Sequence, residues 1–260
     1  MTTFTSSFKH FAMLLCVVAL TACDKNAVQD ITGSLPASRV RFFHFGVNAP
    51  GVNFYANANK VTAISSSTGS ESTTGTVYGG VGSAGFYSAM DPGQYSFTGR
   101  IAATVDKDVP ILTVPLTLAD GKAYSVYMSG FYNTTAKTVE GFAVEDDFSP
   151  TIDFAVASVR FVNAISNSNP MTMYAKNTTT LVEVPVGGLV AYKAAGNFTN
   201  LAPGTYDLST RVSGSSVNTI VRTGVVFASG RVYTISARGD ITVSSATATN
   251  RPFLDNTANR

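Results

Sequence analysis

Val40-Arg41-Phe42-Phe43-His44 and Val159-Arg160-Phe161-Val162-Asn163 are two renderings of one strand, and their recurrence decides the fold. Working outward, Val52-Asn53-Phe54-Tyr55-Ala56 returns as Met171-Thr172-Met173-Tyr174-Ala175, and Pro92-Gly93-Gln94-Tyr95 as Pro203-Gly204-Thr205-Tyr206. Gly121-Lys122-Ala123-Tyr124-Ser125-Val126 returns as Gly230-Arg231-Val232-Tyr233-Thr234-Ile235. Matched segments in one order at a nearly fixed period are the mark of a repeated structural unit. The offset falls from 119 residues at Val40/Val159 to 109 at Gly121/Gly230. The first unit therefore carries extra chain, placed in the Ser, Thr and Gly-rich loop 65–76.

Within the matched segments the alternation has period two. Tyr95, Phe97 and Ile101 share one face, as do Tyr206, Leu208 and Val212, with polar residues between, which predicts half-buried strands. Leu112, Val114, Leu116 and Leu118 alternate toward Asp120-Gly121, after which Tyr124, Val126 and Met128 run back, and this reads as a hairpin. Pro115 cannot donate to a ladder, so its strand is expected at a sheet edge. Turn signals every 8 to 12 residues, between strands of this kind, predict an all-β chain of two tandem antiparallel β-sandwich domains. The expected boundaries are 38–150 and 151–250, with a tail at 251–260.

Composition agrees. The 260 residues are 45% hydrophobic and 13% charged, enough to bury a core in each unit, and 22 Gly with 17 Phe and 11 Tyr favour strands and turns over helices. A formal net charge of +2, with scattered Lys and Arg, provides no basic face of the kind nucleic acid requires.

The amino-terminal residues read as an address. Lys9 precedes an unbroken apolar run, 11–20, that ends in Leu20-Thr21-Ala22-Cys23. Ten residues is about half of a bilayer-crossing helix, so a secretory signal at 1–22 is expected rather than a permanent span. Leu-Thr-Ala-Cys resembles the bacterial lipobox, whose cysteine is acylated and becomes the first residue after cleavage. Cys23 is thus the expected lipidation site, and residues 23–37 a flexible tether. Cys16 leaves with the signal, so no thiol remains for a disulfide, a metal or a nucleophile. Asp24 resembles an inner-membrane retention signal of enteric bacteria.

The set Val40-Arg41-Phe42-Phe43-His44, Asn48-Ala49-Pro50, Pro92-Gly93-Gln94-Tyr95 and Asp120-Gly121-Lys122-Ala123-Tyr124 resembles domain-of-unknown-function family 4397. That resemblance implies exported proteins and lipoproteins, often with tandem copies, and immunoglobulin-like sandwiches. The second unit departs from the family pattern, with Asn163 in place of His and Ser168-Asn169-Pro170 in place of an Asp-Ala-Pro-like turn. The resemblance implies no activity and no site residues.

Chemistry-bearing groups are sparse. After signal removal His44 is the one imidazole, and its register with Val40 and Phe42 turns it inward, where its nitrogens would satisfy a loop backbone. Asn163 at the matching place can form such bonds but cannot act as a base. No Gly-x-Ser-x-Gly, His-Glu-x-x-His or Gly-Lys-Ser/Thr loop occurs, and Gly79-Gly80-Val81-Gly82 reads as a flexible turn. Glu140, Glu145, Asp146, Asp147 and Asp153 cluster without an intervening Lys or Arg, and are expected to form a solvated strand end and linker. The paired tyrosines Tyr55/Tyr174, Tyr95/Tyr206 and Tyr124/Tyr233 suit core or tyrosine-corner duty better than sugar stacking. The Asn-x-Thr sequons at Asn133, Asn177 and Asn197 are read as turn composition.

These readings predict a non-enzymatic protein of the bacterial cell envelope, lipid-anchored through Cys23 and facing the periplasm or the exterior. It would have a structural or interaction role toward an envelope protein or glycan, with no cofactor, no metal, no catalytic residue and no nucleic acid. The alternative is a glycan- or calcium-binding module or weak hydrolase accessory, with a site at the junction of the units using Asp146, Asp147 and loop 65–76.

Overall fold

The computed structural model describes residues 38–62, 73–149 and 151–260. Cys23, the signal 1–22, the tether 23–37 and residues 65–72 of the expected loop lie outside them. The described residues all fall within one compact unit.

The first half runs through β1 (Ser38–Val47), β2 (Val52–Ala56), β3 (Asn59–Lys60), β4 (Ser88–Met90), β5 (Gly93–Ile101), β6 (Pro110–Leu118), β7 (Ala123–Asn133) and β8 (Thr138–Glu145). Its sheets, in the orders β4-β1-β7-β8 and β3-β2-β5-β6, close on a core of Val40, Phe42, Phe54, Phe97, Leu112, Val126 and Met128. The second half runs through β9 (Ala157–Asn163), β10 (Met171–Asn177), β11 (Glu183–Val190), β12 (Ala194–Ala195) and β13 (Thr199–Leu201). It continues with β14 (Gly204–Val212), β15 (Ile220–Phe227), β16 (Val232–Arg238) and β17 (Phe253–Ala258). Its sheets, β12-β9-β16-β17 with β13 also on β9, and β11-β10-β14-β15, close on Val159, Phe161, Met173, Leu208, Phe227 and Ile235. The all-β, two-sandwich expectation is met.

Four details correct the sequence reading. β1 pairs with β7 in parallel, and β9 with β16 likewise, so each half holds one parallel pair among antiparallel ones. Alternation of side chains is the same in either direction, so the pattern could not tell them apart. The expected hairpin across Asp120-Gly121 is instead a crossing between sheets: β6 lies beside β5 and β7 beside β1. Leu112 and Val114 face the core from one sheet while Val126 and Met128 face it from the other, and a shared core produces the same alternation as a shared ladder. Lys122 N–H donates to Ala119 O at 3.3 Å and Gly121 has a φ of 71°, a turn tight enough to make that step.

The tail expected at 251–260 contains β17, which completes a sheet beside β16. Finally, β1 is buried on both faces where a sandwich strand ordinarily shows one to water. The second face has its own apolar cluster: Phe43, Phe45, Tyr127 and Phe142 of the first half against Val162 and Ala164 of the second. The sandwiches therefore pack sheet against sheet, β1 and β7 facing β9 and β16. Pro115 does lie on an edge strand, as expected.

Candidate functional site at the junction of the two sandwiches

Register identifies equivalent positions in the two halves. Tyr124 pairs with Glu145 as Tyr233 pairs with Ala258, so the ends of β8 and β17 correspond, and Asp146 corresponds to Asn259. Val40 pairs with Ser88 as Val159 pairs with Thr199, so Tyr87 corresponds to Phe198.

Arg41 and Arg160, the one charged residue of each matched five-residue segment, both turn away from their own core into the junction. Arg41 Nη1 donates to Ala258 O at 2.8 Å and Nη2 to Asn259 Oδ1 at 2.8 Å, and its guanidinium lies 4.4 Å over the Tyr87 ring. Arg160 Nη1 donates to Glu145 O at 2.8 Å, Nη2 pairs with Asp146 Oδ1, and its guanidinium lies 5.0 Å over Phe198. Each arginine thus grips the end of the other half's last strand through the same atoms. That reciprocity is the property of a two-fold interface, here within one chain.

Asp146 is the hub. Its Oδ2 accepts from Tyr87 Oη at 2.5 Å and from Ser125 Oγ at 2.7 Å, and Arg160 Nε also donates to Thr234 Oγ1 at 3.0 Å. Burial first, and then the negative charge of Asp146, push the Tyr87 phenol up, so it stays protonated and donates.

The frame is symmetric but the filling is not. At matched places the first half presents Phe43, Phe45 and Tyr127, and the second presents Val162, Ala164 and Ser236. Large rings on one side meet small side chains on the other, with Phe43 and Tyr127 stacked at 4.5 Å and Tyr127 and Phe142 at 4.9 Å.

The residues singled out from sequence are placed as follows. His44 is fully buried, and its Nε2 donates to Pro50 O at 2.9 Å, the loop-backbone duty expected of it. Burial holds its pKa down to about 4. Asn163 does the same work in the second half, accepting from Ile165 N–H at 3.1 Å and donating to Ser168 Oγ at 3.0 Å. The solvated reading of the acidic cluster fails at Asp146, which is buried against Arg160. Glu145 pairs with Lys122 at 2.6 Å and Glu140 with Lys193 at 2.7 Å, so the counter-charges come from elsewhere in the fold. Among the described residues no group of three His, Cys, Asp or Glu could hold a metal ion.

Thr76 pairs with Val52 beside the β1–β2 turn, whereas Asp146 and Asp147 line a hollow with Arg39, Lys122 and Arg260. The described end of loop 65–76 therefore does not join the acids. Tyr95 Oη donates to Asp91 O at 3.0 Å and Tyr206 Oη to Ala202 O at 2.7 Å, forming the expected tyrosine corners. Tyr124 and Tyr233 each accept from the backbone five residues earlier, at 3.2 and 3.1 Å. Tyr55 and Tyr174 lie under Arg100 and Arg211, at 4.3 and 4.2 Å, which covers the faces a sugar would need. Asn133 and Asn177 accept from backbone N–H groups two and three residues on, as turn-formers do. Gly79 and Gly80 are pinned rather than flexible, exchanging hydrogen bonds with the His44 backbone at 2.8 and 3.0 Å.

Sequence reasoning passed over Arg41, Arg160 and Tyr87. The signal for the arginines was a charge repeated at one place between the apolar Val and Phe of the two matched segments. Tyr87 had none, because Phe198 at its matched place has no hydroxyl.

Residues 157–260 match the DUF4397 family, a domain of unknown function. The matched span runs from the start of β9 past β17 and so takes in the second sandwich, including the strand first read as a tail. No curated protein matches the chain. Among solved structures, the Bacillus anthracis TIE protein is similar at 12% identity and a TM-score of 0.25, over 77% of this chain and 33% of that one. The chain thus spans about a third of that protein's length. A candidate cell adhesion protein from Bacteroides ovatus is similar at 9% identity and a TM-score of 0.22, over 88% of this chain and 97% of that one. At these values neither likeness bears on function.

Proposed function

We propose that this is a lipid-anchored protein of the bacterial cell envelope with a non-catalytic structural or interaction role, built from two immunoglobulin-like copies of the DUF4397 unit. Leu20-Thr21-Ala22-Cys23, directly after the apolar run 11–20, is the observation that carries the reading. The several acyl chains that such a cysteine receives anchor stably, whereas a single chain binds only marginally. The matched strand order and the reciprocal arginines support reading the first sandwich as a second copy of the unit matched at 157–260.

The polar groups best suited to chemistry are spent on architecture, which supports a non-catalytic role. His44 holds a loop carbonyl and Asp146 is committed to Arg160, Tyr87 and Ser125. A double sandwich packed through an apolar junction, on a tether, suits a spacer or docking body whose partner is another envelope component.

Labelling cells with palmitate tests the anchor. The label and retention in the membrane fraction should both be lost on Cys23→Ser, and a Cys23→Ser protein that keeps both contradicts the reading. For the role, crosslinked envelopes should yield one specific partner, whereas turnover of a glycan or peptide by the pure protein would overturn it.

A further inference from the structure

The two arginines of the junction are matched in position but not in partner. Arg160 meets the carboxylate of Asp146, whereas Arg41, 1% exposed, meets the amide oxygen of Asn259, the carbonyl of Ala258 and the hydroxyl of Tyr87. Among the described residues Arg160 has a carboxylate partner and Arg41 has only neutral ones, and a buried charge without its counter-charge is costly.

Beside Arg41 the surface opens into a hollow of about 690 Å³, lined among others by Tyr87, Phe86, Arg231, Asn256 and Asn259. Arg231 is exposed and forms no ion pair with a described residue. A guanidinium only donates, so Asn259 must turn Oδ1 to Arg41 and Nδ2 away from it. That Nδ2 is buried with no acceptor among the described residues. Phe86, 74% exposed, adds an apolar wall.

We propose that this hollow binds an organic carboxylate. Its anionic head is held by Arg231, in the field of Arg41 and of the buried Asn259 amide, and its apolar body lies on Phe86. The ligand supplies to Arg41 the charge that Asp146 supplies to Arg160. This site is independent of the lipid anchor.

The test is calorimetric titration of the full chain in detergent with sodium 4-phenylbutyrate and hexanoate. 4-Phenylbutyramide and inorganic phosphate, at matched ionic strength, are the comparisons. A carboxylate should bind saturably and the amide should not. Exposed Arg231→Gln should weaken binding by roughly tenfold, the loss of one charge-assisted hydrogen bond. Asn259→Asp, which builds a carboxylate in beside Arg41, should abolish binding while the protein still melts cooperatively. Binding of neither carboxylate, equal binding of the amide, binding of phosphate alone, or affinities unmoved by both substitutions would each overturn the proposal.

Discussion

Tyr127 Oη and Ser236 Oγ stand 3.3 Å apart across the junction, and the two residues hold the same place in their respective halves. Equivalent residues meet in this way only on a two-fold axis, so the contact marks where the internal axis passes. A tyrosine on one side and a serine on the other also show how the two halves have become unlike partners.

Tyr127→Ala should therefore cost more than an ordinary surface change. The ring is buried, stacked on both sides, and faced by side chains too small to close in. A loss of about 3–5 kcal/mol is expected. Denaturant unfolding followed by tyrosine fluorescence and by circular dichroism would measure it. A loss below about 1 kcal/mol would mean that the junction repacks freely.

His44 should make stability depend on pH. Its pKa is about 4 in the folded chain against 6.5 for the free side chain. Between those values the unfolded chain takes up a proton that the folded chain refuses, so stability is complete above pH 6.5 and falls as pH drops toward 4. The contribution is about 3 kcal/mol. His44→Asn, copying Asn163, should remove that part of the slope. Unfolding free energies of both proteins at pH 7 and 4.5 decide it, since parallel profiles would leave His44 without a role in the acid response.

Gly196 reports the close approach of β11 to β12. A Cβ there would stand 2.5 Å from Gly187 O, a backbone atom that cannot rotate aside. Gly196→Ala is expected to cost about 1–3 kcal/mol by overpacking. At Gly214 a Cβ would meet nothing within 4 Å and only its φ of 77° opposes substitution, so Gly214→Ala should cost about 1 kcal/mol. Thermal melts of the pair would test the ranking, and a larger loss at Gly214 would reverse it.

What the sequence disclosed, and what it hid, follow from the same property of strands. Period-two alternation identified β5, β14 and the inward His44, the missing N–H of Pro115 gave its edge position, and the repeated tyrosine positions gave the tyrosine corners, because each depends on residues near in sequence or matched between the halves. It could not say whether β7 lies beside β6 or opposite it, since Val126 turned to a shared core looks alike in both cases. Nor could it foresee that Phe43 and Phe45 face a second sandwich, although a run apolar at nearly every position fits a strand covered twice. The junction network was hidden because its members, Arg41, Tyr87, Asp146, Arg160 and Asn259, come from five separate segments. Asp146 in particular read as one more acid in a solvated run until the fold set Arg160 against it.

Asp146→Asn should be among the most damaging single substitutions. It removes the carboxylate paired with Arg160 and leaves that guanidinium buried. Breaking such a pair costs about 3–5 kcal/mol. Urea unfolding would show it as a lower midpoint, and an unchanged midpoint would mean that water reaches the pair.

The charge swap tests the internal two-fold most directly. If Arg41 with Asn259 is the counterpart of Arg160 with Asp146, moving the carboxylate from one place to the other keeps one ion pair in the junction. In urea unfolding, the double variant Asp146→Asn with Asn259→Asp should regain at least half of what Asp146→Asn alone loses. Should Asn259→Asp restore nothing, or deepen the loss, the two ends of the junction are not equivalent and the two-fold account fails.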